Sequence, residues 1–146
     1  MIDNHYGVLC MSAKWNSILM WSHYGDYHKG FFIFFNEEKM RESGLFGKGG
    51  PVTYSKNFPV INPLDNEERM IVSFYQTHYK SVEWSYEEEY RFTNLMFPEK
   101  PTNEMRIKVF AENCIEEINL GVNIDPSHKE EIIVKEKKRN IKIYQL

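Results

Sequence analysis

Cysteine is scarce in this chain of 146 residues, with only Cys10 and Cys114. Two isolated thiols do not make the disulfide framework of a small secreted domain. Cys10, inside the apolar run Gly7-Val8-Leu9-Cys10-Met11, reads as a buried thiol. No basic-then-apolar leader opens the sequence, and its apolar runs fall far short of the roughly 20 residues of a membrane span. The expectation is a cytoplasmic protein with no membrane partner. Basic excess is also missing: 18 Lys and Arg stand against 21 Asp and Glu, for a net charge of −3 and a pI near 6.0. A protein that grips nucleic acid by its phosphates presents a basic face. The nearest approach, Lys135, Lys137, Lys138, Arg139 and Lys142, is diluted by Glu130, Glu131 and Glu136, so nucleic acid is not an expected partner.

Familiar catalytic punctuation is absent as well. Gly47-Lys48-Gly49-Gly50 lacks both a preceding strand and the Lys-Ser or Lys-Thr ending of a phosphate-binding loop. No Gly-x-Ser-x-Gly elbow occurs. His23 and His28 are too far apart in register to share one helical face, and no third ligand stands at a recognised spacing. Neither a metal nor a cofactor is expected on these grounds.

What is abundant is aromatic side chain: 10 Phe, 9 Tyr and 3 Trp, or 15% of the chain. Such rings suit a dense core, a stacking pocket or an oligomer interface. The length fits a single domain over 1–146. Periodicity and punctuation predict strands over 6–12, 30–35, 51–54, 88–94, 105–110, 115–120 and 141–144. The 30–35 run, apolar throughout, reads as a central strand covered on both faces. Helices are expected over a span starting at Ser12 or Asn16 and ending near Tyr24, over 37–43 behind Asn36, over 62–81 behind Asn62-Pro63, and over 126–138. The first of these is apolar on nearly every side and reads as buried. In the third, Leu64, Ile71, Phe74, Tyr75 and His78 share a face. The glycines of 44–50 predict a mobile loop. The fold class is α+β: a mixed, largely antiparallel sheet of about six strands with three or four packed helices.

Two constellations could carry chemistry. Trp21-Ser22-His23-Tyr24-Gly25-Asp26-Tyr27-His28 places imidazoles, rings and an acid where a helix turns into a strand, a common place for a ligand; the alternative is a packed aromatic core with a satisfied interior histidine. Lys80 with Trp84-Ser85-Tyr86-Glu87-Glu88-Glu89-Tyr90-Arg91 brings three consecutive glutamates into a strand. Like charges there can raise one carboxylate's pKa for acid–base work. Alternation puts Glu89 and Arg91 on one face, where they can equally form a structural ion pair.

Taken in order, Val8-Leu9-Cys10-Met11-Ser12, Met20-Trp21-Ser22-His23-Tyr24 through His28-Lys29-Gly30 and its aromatic strand, Val52-Thr53-Tyr54, and Lys80 with Trp84 to Arg91 resemble the bacterial family known as domain of unknown function 2971. The segment 115–121 and the final strand continue the likeness over almost the whole chain. Members usually carry a region ahead of the first strand, so the resemblance implies a shortened version, borne on a mobile element, that a homodimer partner could complete. The His-Tyr pair and the later glutamate are similar in outline to the ADP-ribosyltransferase layout. On that likeness His23 and Tyr24 hold NAD, Glu89 stabilises an oxocarbenium-like sugar or orients the acceptor, and Lys80 and Arg91 face phosphates.

Two functions therefore stand side by side. One is an interaction or structural module, for a protein partner or a small nucleotide, with a ligand pocket lined by Trp21, His23, Tyr24, His28, Lys80, Trp84, Glu89 and Arg91. The other is an NAD-using transferase in phage defence or toxin action, with Glu89 and His23 catalytic. The first predicts an interlocked, buried network; the second predicts an open pocket.

Overall fold

The computed structural model describes residues 2–62, 64, 68–137, 139 and 141–146. Pro63, expected to open a helix, and Lys138, expected to end one, lie outside them. The architecture is α+β with largely antiparallel strands, and the described strands divide among three small sheets. Contacts along the chain resolve into two compact units, Met1–Trp15 with Phe46–Lys108 and Asn16–Leu45 with Val109–Leu146. Among the described residues no helix is long and apolar enough to cross a membrane.

In the first unit, β1 (Tyr6–Ser12), β6 (Glu89–Leu95) and β3 (Lys48–Pro51) form a sheet in the order β1-β6-β3, antiparallel throughout. β6 is the central strand, and its Phe92 is fully buried. The glycine-rich segment expected to be a mobile loop is thus partly strand. A Cβ built on Gly49 would lie 2.7 Å from the Phe92 ring, so the bare backbone is what lets that ring lie against β3. Pro51 closes the strand on the sheet's edge, where its missing N–H costs nothing.

β4 (Thr53–Ser55) and β5 (Tyr79–Ser81) make a parallel pair, with α3 (Arg69–Thr77) leading into β5. The helix is shorter than the expected 62–81 at both ends. Asn62 accepts from the Leu64 N–H (3.1 Å), an Asx turn in place of a helix cap. At the other end, pairing with β4 claims the chain from Tyr79 onward. The strand expected over 105–110 is also corrected. Thr102 accepts from the Met105 N–H (3.4 Å) and caps the short α4 (Asn103–Arg106), after which Ile107 and Val109 are exposed and join no sheet.

The second unit is built on β2 (Phe31–Phe35), β7 (Ile115–Leu120) and β8 (Lys142–Gln145), in the order β2-β7-β8. β2 is therefore an edge strand, not the central one its composition suggested. Its apolar run has a different cause: Phe32 packs edge-on against Trp21 and Phe34, at 5.0 Å in each case, while Ile33 joins Ile118, Leu120 and Ile124. Both faces are partly covered although one edge is open. β8 runs parallel to β7, and α5 (Pro126–Glu136) makes the crossover. Asp125 caps that helix by accepting from the Ser127 N–H (2.8 Å), and Pro126 sits in its first turn. Asn36 caps α2 (Glu37–Glu42) by accepting from the Lys39 N–H (3.0 Å).

Candidate functional site

The predicted site residues fall in two groups. Lys80, Trp84, Glu89 and Arg91 belong to the first unit; Trp21, His23, Tyr24 and His28 belong to the second.

In the first unit the three glutamates take three different roles. The 3-10 turn Val82–Glu87 ends on Glu88, which adopts the left-handed conformation (φ 44°) and turns outward to pair with Lys14 at 3.3 Å. That reversal lets its two neighbours point inward, leaving Glu87 3% and Glu89 5% exposed. Arg91 grips the Glu89 carboxylate with both nitrogens of its fork, Nε to Oε1 (2.8 Å) and Nη2 to Oε2 (3.0 Å). Lys80 Nζ donates to the same Oε2 (3.0 Å) and also to Glu87. Two acids thus face two bases, and the group is charge-neutral. Burial alone would raise the pKa of Glu89, but hydrogen bonds from Arg91, Cys10 and Lys80 outweigh it and hold the pKa at about 2. Burial likewise disfavours the charge on Lys80, and its bonds to Glu87 and Glu89 more than reverse that.

The cluster is also tied into the backbone around it. Arg91 Nη1 donates to Thr77 O (2.7 Å) at the end of α3, and Ser12 Oγ of β1 donates to Glu87 O (2.6 Å). The Tyr54 hydroxyl of β4 accepts from the Glu89 N–H (2.7 Å). Strands β1, β4, β5 and β6, the end of α3 and the 3-10 turn therefore meet at one carboxylate pair. Trp84 is set beside the group, with the Lys80 ammonium 5.1 Å from its ring centroid. Cys10 is not the buried residue expected from its apolar neighbours: it is exposed at the surface. Its thiol end is nonetheless half covered against Glu89, and that loss of solvent first, then the carboxylate, push its pKa up to about 11. It is a thiol, not a thiolate, at neutral pH.

In the second unit, Ser17 caps α1 (Ile18–Tyr24) by accepting from the Met20 N–H (3.3 Å), and the helix stops at Gly25. Contrary to the reading from composition, α1 is not buried: Ile18, Leu19 and Tyr24 are exposed and Trp21 is the residue that packs inward. Asp26, Tyr27 and His28 then all adopt positive φ (45°, 53° and 66°). For non-glycine residues this costs roughly 1–2 kcal/mol each. The left-handed turn brings the Gly30 N–H back to Gly25 O (2.9 Å) and stacks the His28 ring on Trp21, at 5.3 Å and 11°. A second turn clamps it: the Asn123 N–H donates to His28 O (2.9 Å), Asn123 Nδ2 donates to Tyr27 O (3.2 Å), and the Gly121 N–H donates to Gly30 O (2.9 Å). Trp21 and His28 are thus brought together, while His23 and Tyr24 are exposed, their rings edge to face at 6.4 Å.

The family described as Protein of unknown function (DUF2971) matches residues 20–92, half of the chain. The chain belongs to this family. The DUF2971 match begins inside α1 and ends on Phe92 of β6, so it holds the left-handed turn and the whole Lys80–Glu87–Glu89–Arg91 cluster. No curated protein and no solved structure matches the chain.

Sequence reasoning placed Glu89 and Arg91 on one face and named Lys80, but it did not single out Tyr54, Cys10 or His78 as members of the Glu89 surroundings. Alternation along a strand finds partners two residues apart. It does not find Tyr54, brought in by the parallel β4-β5 pair, or Cys10, which lies across the β1-β6 register from Arg91.

Proposed function

We propose that this DUF2971 chain is a bacterial cytoplasmic interaction module that associates with a second copy of itself and carries out no transferase chemistry. The observation behind this reading is the closure of the Glu89 cluster. Both carboxylate oxygens accept from Arg91, one also from Lys80, and the residue is 5% exposed. A glutamate so held, with a pKa near 2, is a poor proton shuttle at neutral pH. Lys80 and Arg91 are already engaged by Glu87 and Glu89, which leaves little free charge there for a phosphate.

Self-association is favoured by the surface of α1. Ile18, Leu19 and Tyr24, with Tyr27 just after, are exposed, and the helix contains no Asp, Glu, Lys or Arg. A two-fold interface sets each patch against its own copy. A charged patch would repel itself there; an apolar, tyrosine-bearing one does not.

Sedimentation of the purified chain over a range of concentrations, together with an NAD-consumption assay, tests both halves. The expected result is a reversible dimer that Leu19→Glu weakens, with NAD left intact. A monomer at every concentration would remove the self-association. NAD turnover that Glu89→Gln abolishes in a still-folded protein would move the assignment to an ADP-ribosyltransferase-like enzyme.

A further inference from the structure

Within the first unit, beside α3, lies a cavity of about 310 Å³ that neither constellation includes. This is the lower end of the range for small-molecule sites. Met70, Ile71 and Phe74 of α3 supply an apolar wall, Thr77 and His78 the inner end, and Lys48 of β3 the one cation. No carboxylate lines it among the described residues.

The polar groups at the inner end are already engaged. The His78 ring is buried and stacks on Phe74 at 4.9 Å and 11°, with its Nδ1 2.8 Å from Thr77 Oγ1 and its Nε2 3.3 Å from Arg91 O. The Thr77 hydroxyl gives its proton to Ser73 O (2.7 Å), so Nδ1–H of the ring donates to Thr77 Oγ1, and Nε2 faces the Arg91 carbonyl. Burial, above all, lowers the pKa of His78, so the ring brings no charge at neutral pH. Lys48 is different. It is exposed, and its side chain makes no ion pair or hydrogen bond among the described residues.

We propose that this cavity binds a small amphiphilic monoanion, a medium-length acyl or aryl carboxylate, with its apolar part against Met70, Ile71 and Phe74 and its carboxylate on Lys48. The charge pattern selects this class. One cation with no competing acid among the described residues favours a single negative charge, and an apolar wall with engaged polar neighbours gives a neutral polar ligand little to bond. A dianionic phosphate ester would bring a second charge with no partner. Neither α1 nor Glu89 lines the cavity, so it stands or falls apart from the proposed self-association.

Calorimetric titration with octanoate, octanol and octylammonium tests the assignment. Octanoate is expected to bind saturably at one site and octanol at least tenfold more weakly. Lys48→Gln should weaken octanoate about tenfold, and so should Met70→Glu, which changes an exposed residue of the apolar wall. Lys48→Glu should lose octanoate and gain octylammonium. Octanol binding as tightly as octanoate would overturn the proposal, as would octanoate binding that is indifferent to Lys48 and Met70, or no octanoate binding at all.

Discussion

Glu87, Glu88 and Glu89 are consecutive in sequence and opposite in consequence. The left-handed Glu88 is exposed and its pair with Lys14 is solvent-screened, so it contributes little. Glu88→Gly is expected to leave stability unchanged or raise it by up to about 1 kcal/mol, since glycine adopts that conformation without strain. Glu89→Gln leaves Arg91 and Lys80 facing a neutral amide in a largely buried place, and a loss of about 3 kcal/mol is expected. The same residue governs acid sensitivity. With a folded pKa near 2 against 4.5 for the free side chain, the stability it confers is complete above pH 4.5 and is lost as the pH falls from there toward 2. His78 adds a shallower loss that begins higher. Its folded pKa lies below 6.5, so the unfolded chain takes up that proton first. Urea unfolding of the wild type and Glu89→Gln across pH 2–8 separates the two: the step below 4.5 should shrink in the variant to what Glu104, Asp125 and Glu131 contribute, and the decline below 6.5 should persist.

Among the elements, those specified by their own residues were legible and those specified by neighbours were not. β1 runs apolar and β6 alternates over its own length, Asn36 caps α2 with its side chain, and Gly25 ends α1 where a Cβ would meet the Trp21 ring. β3 is a strand because Phe92, more than forty residues later, lies over Gly49. Burial of α1 was misread because an apolar composition says which residues could pack, not that a partner exists; Trp21 alone found one inward. For the candidate site, the Glu89–Arg91 pair follows from strand alternation, whereas Lys80 reaches Glu89 only through the β4-β5 pairing. The left-handed turn at 26–28 was also hidden, because its support comes from the distant 121–124 segment. A Cβ on Gly121 would lie 2.1 Å from His28 O and 2.6 Å from His28 C, both backbone atoms that the clamp holds. Gly121→Ala is therefore expected to destabilise the protein by about 3 kcal/mol and to unstack His28 from Trp21. Urea titration reads the first, and the His28 ring resonances read the second. An alanine accepted at no cost would mean that the turn is easily displaced.

At the scale of the molecule, neither unit is a continuous stretch of chain: the backbone passes from one to the other after Trp15, after Leu45 and after Lys108. The family match of 20–92 cuts across both. It takes β2 without its partner β7 and β6 without β1. A fragment of those residues is expected to show no cooperative unfolding transition and little amide protection, whereas the full chain unfolds with a clear transition. Circular dichroism during heating and hydrogen exchange would distinguish the two, and a cooperatively folded fragment would mean that the sheets are dispensable.

The β1-β6 register, Tyr6 against Leu95 through Ser12 against Glu89, also sets a clock on the ribosome. At about 5–20 residues per second, Leu95 is made roughly 4–18 s after Tyr6. Throughout that interval the Tyr6–Ser12 segment, with Val8, Leu9 and Met11 on it, lacks the strand it will pair with, and once it has left the ribosome it is open to any chaperone that reaches it first.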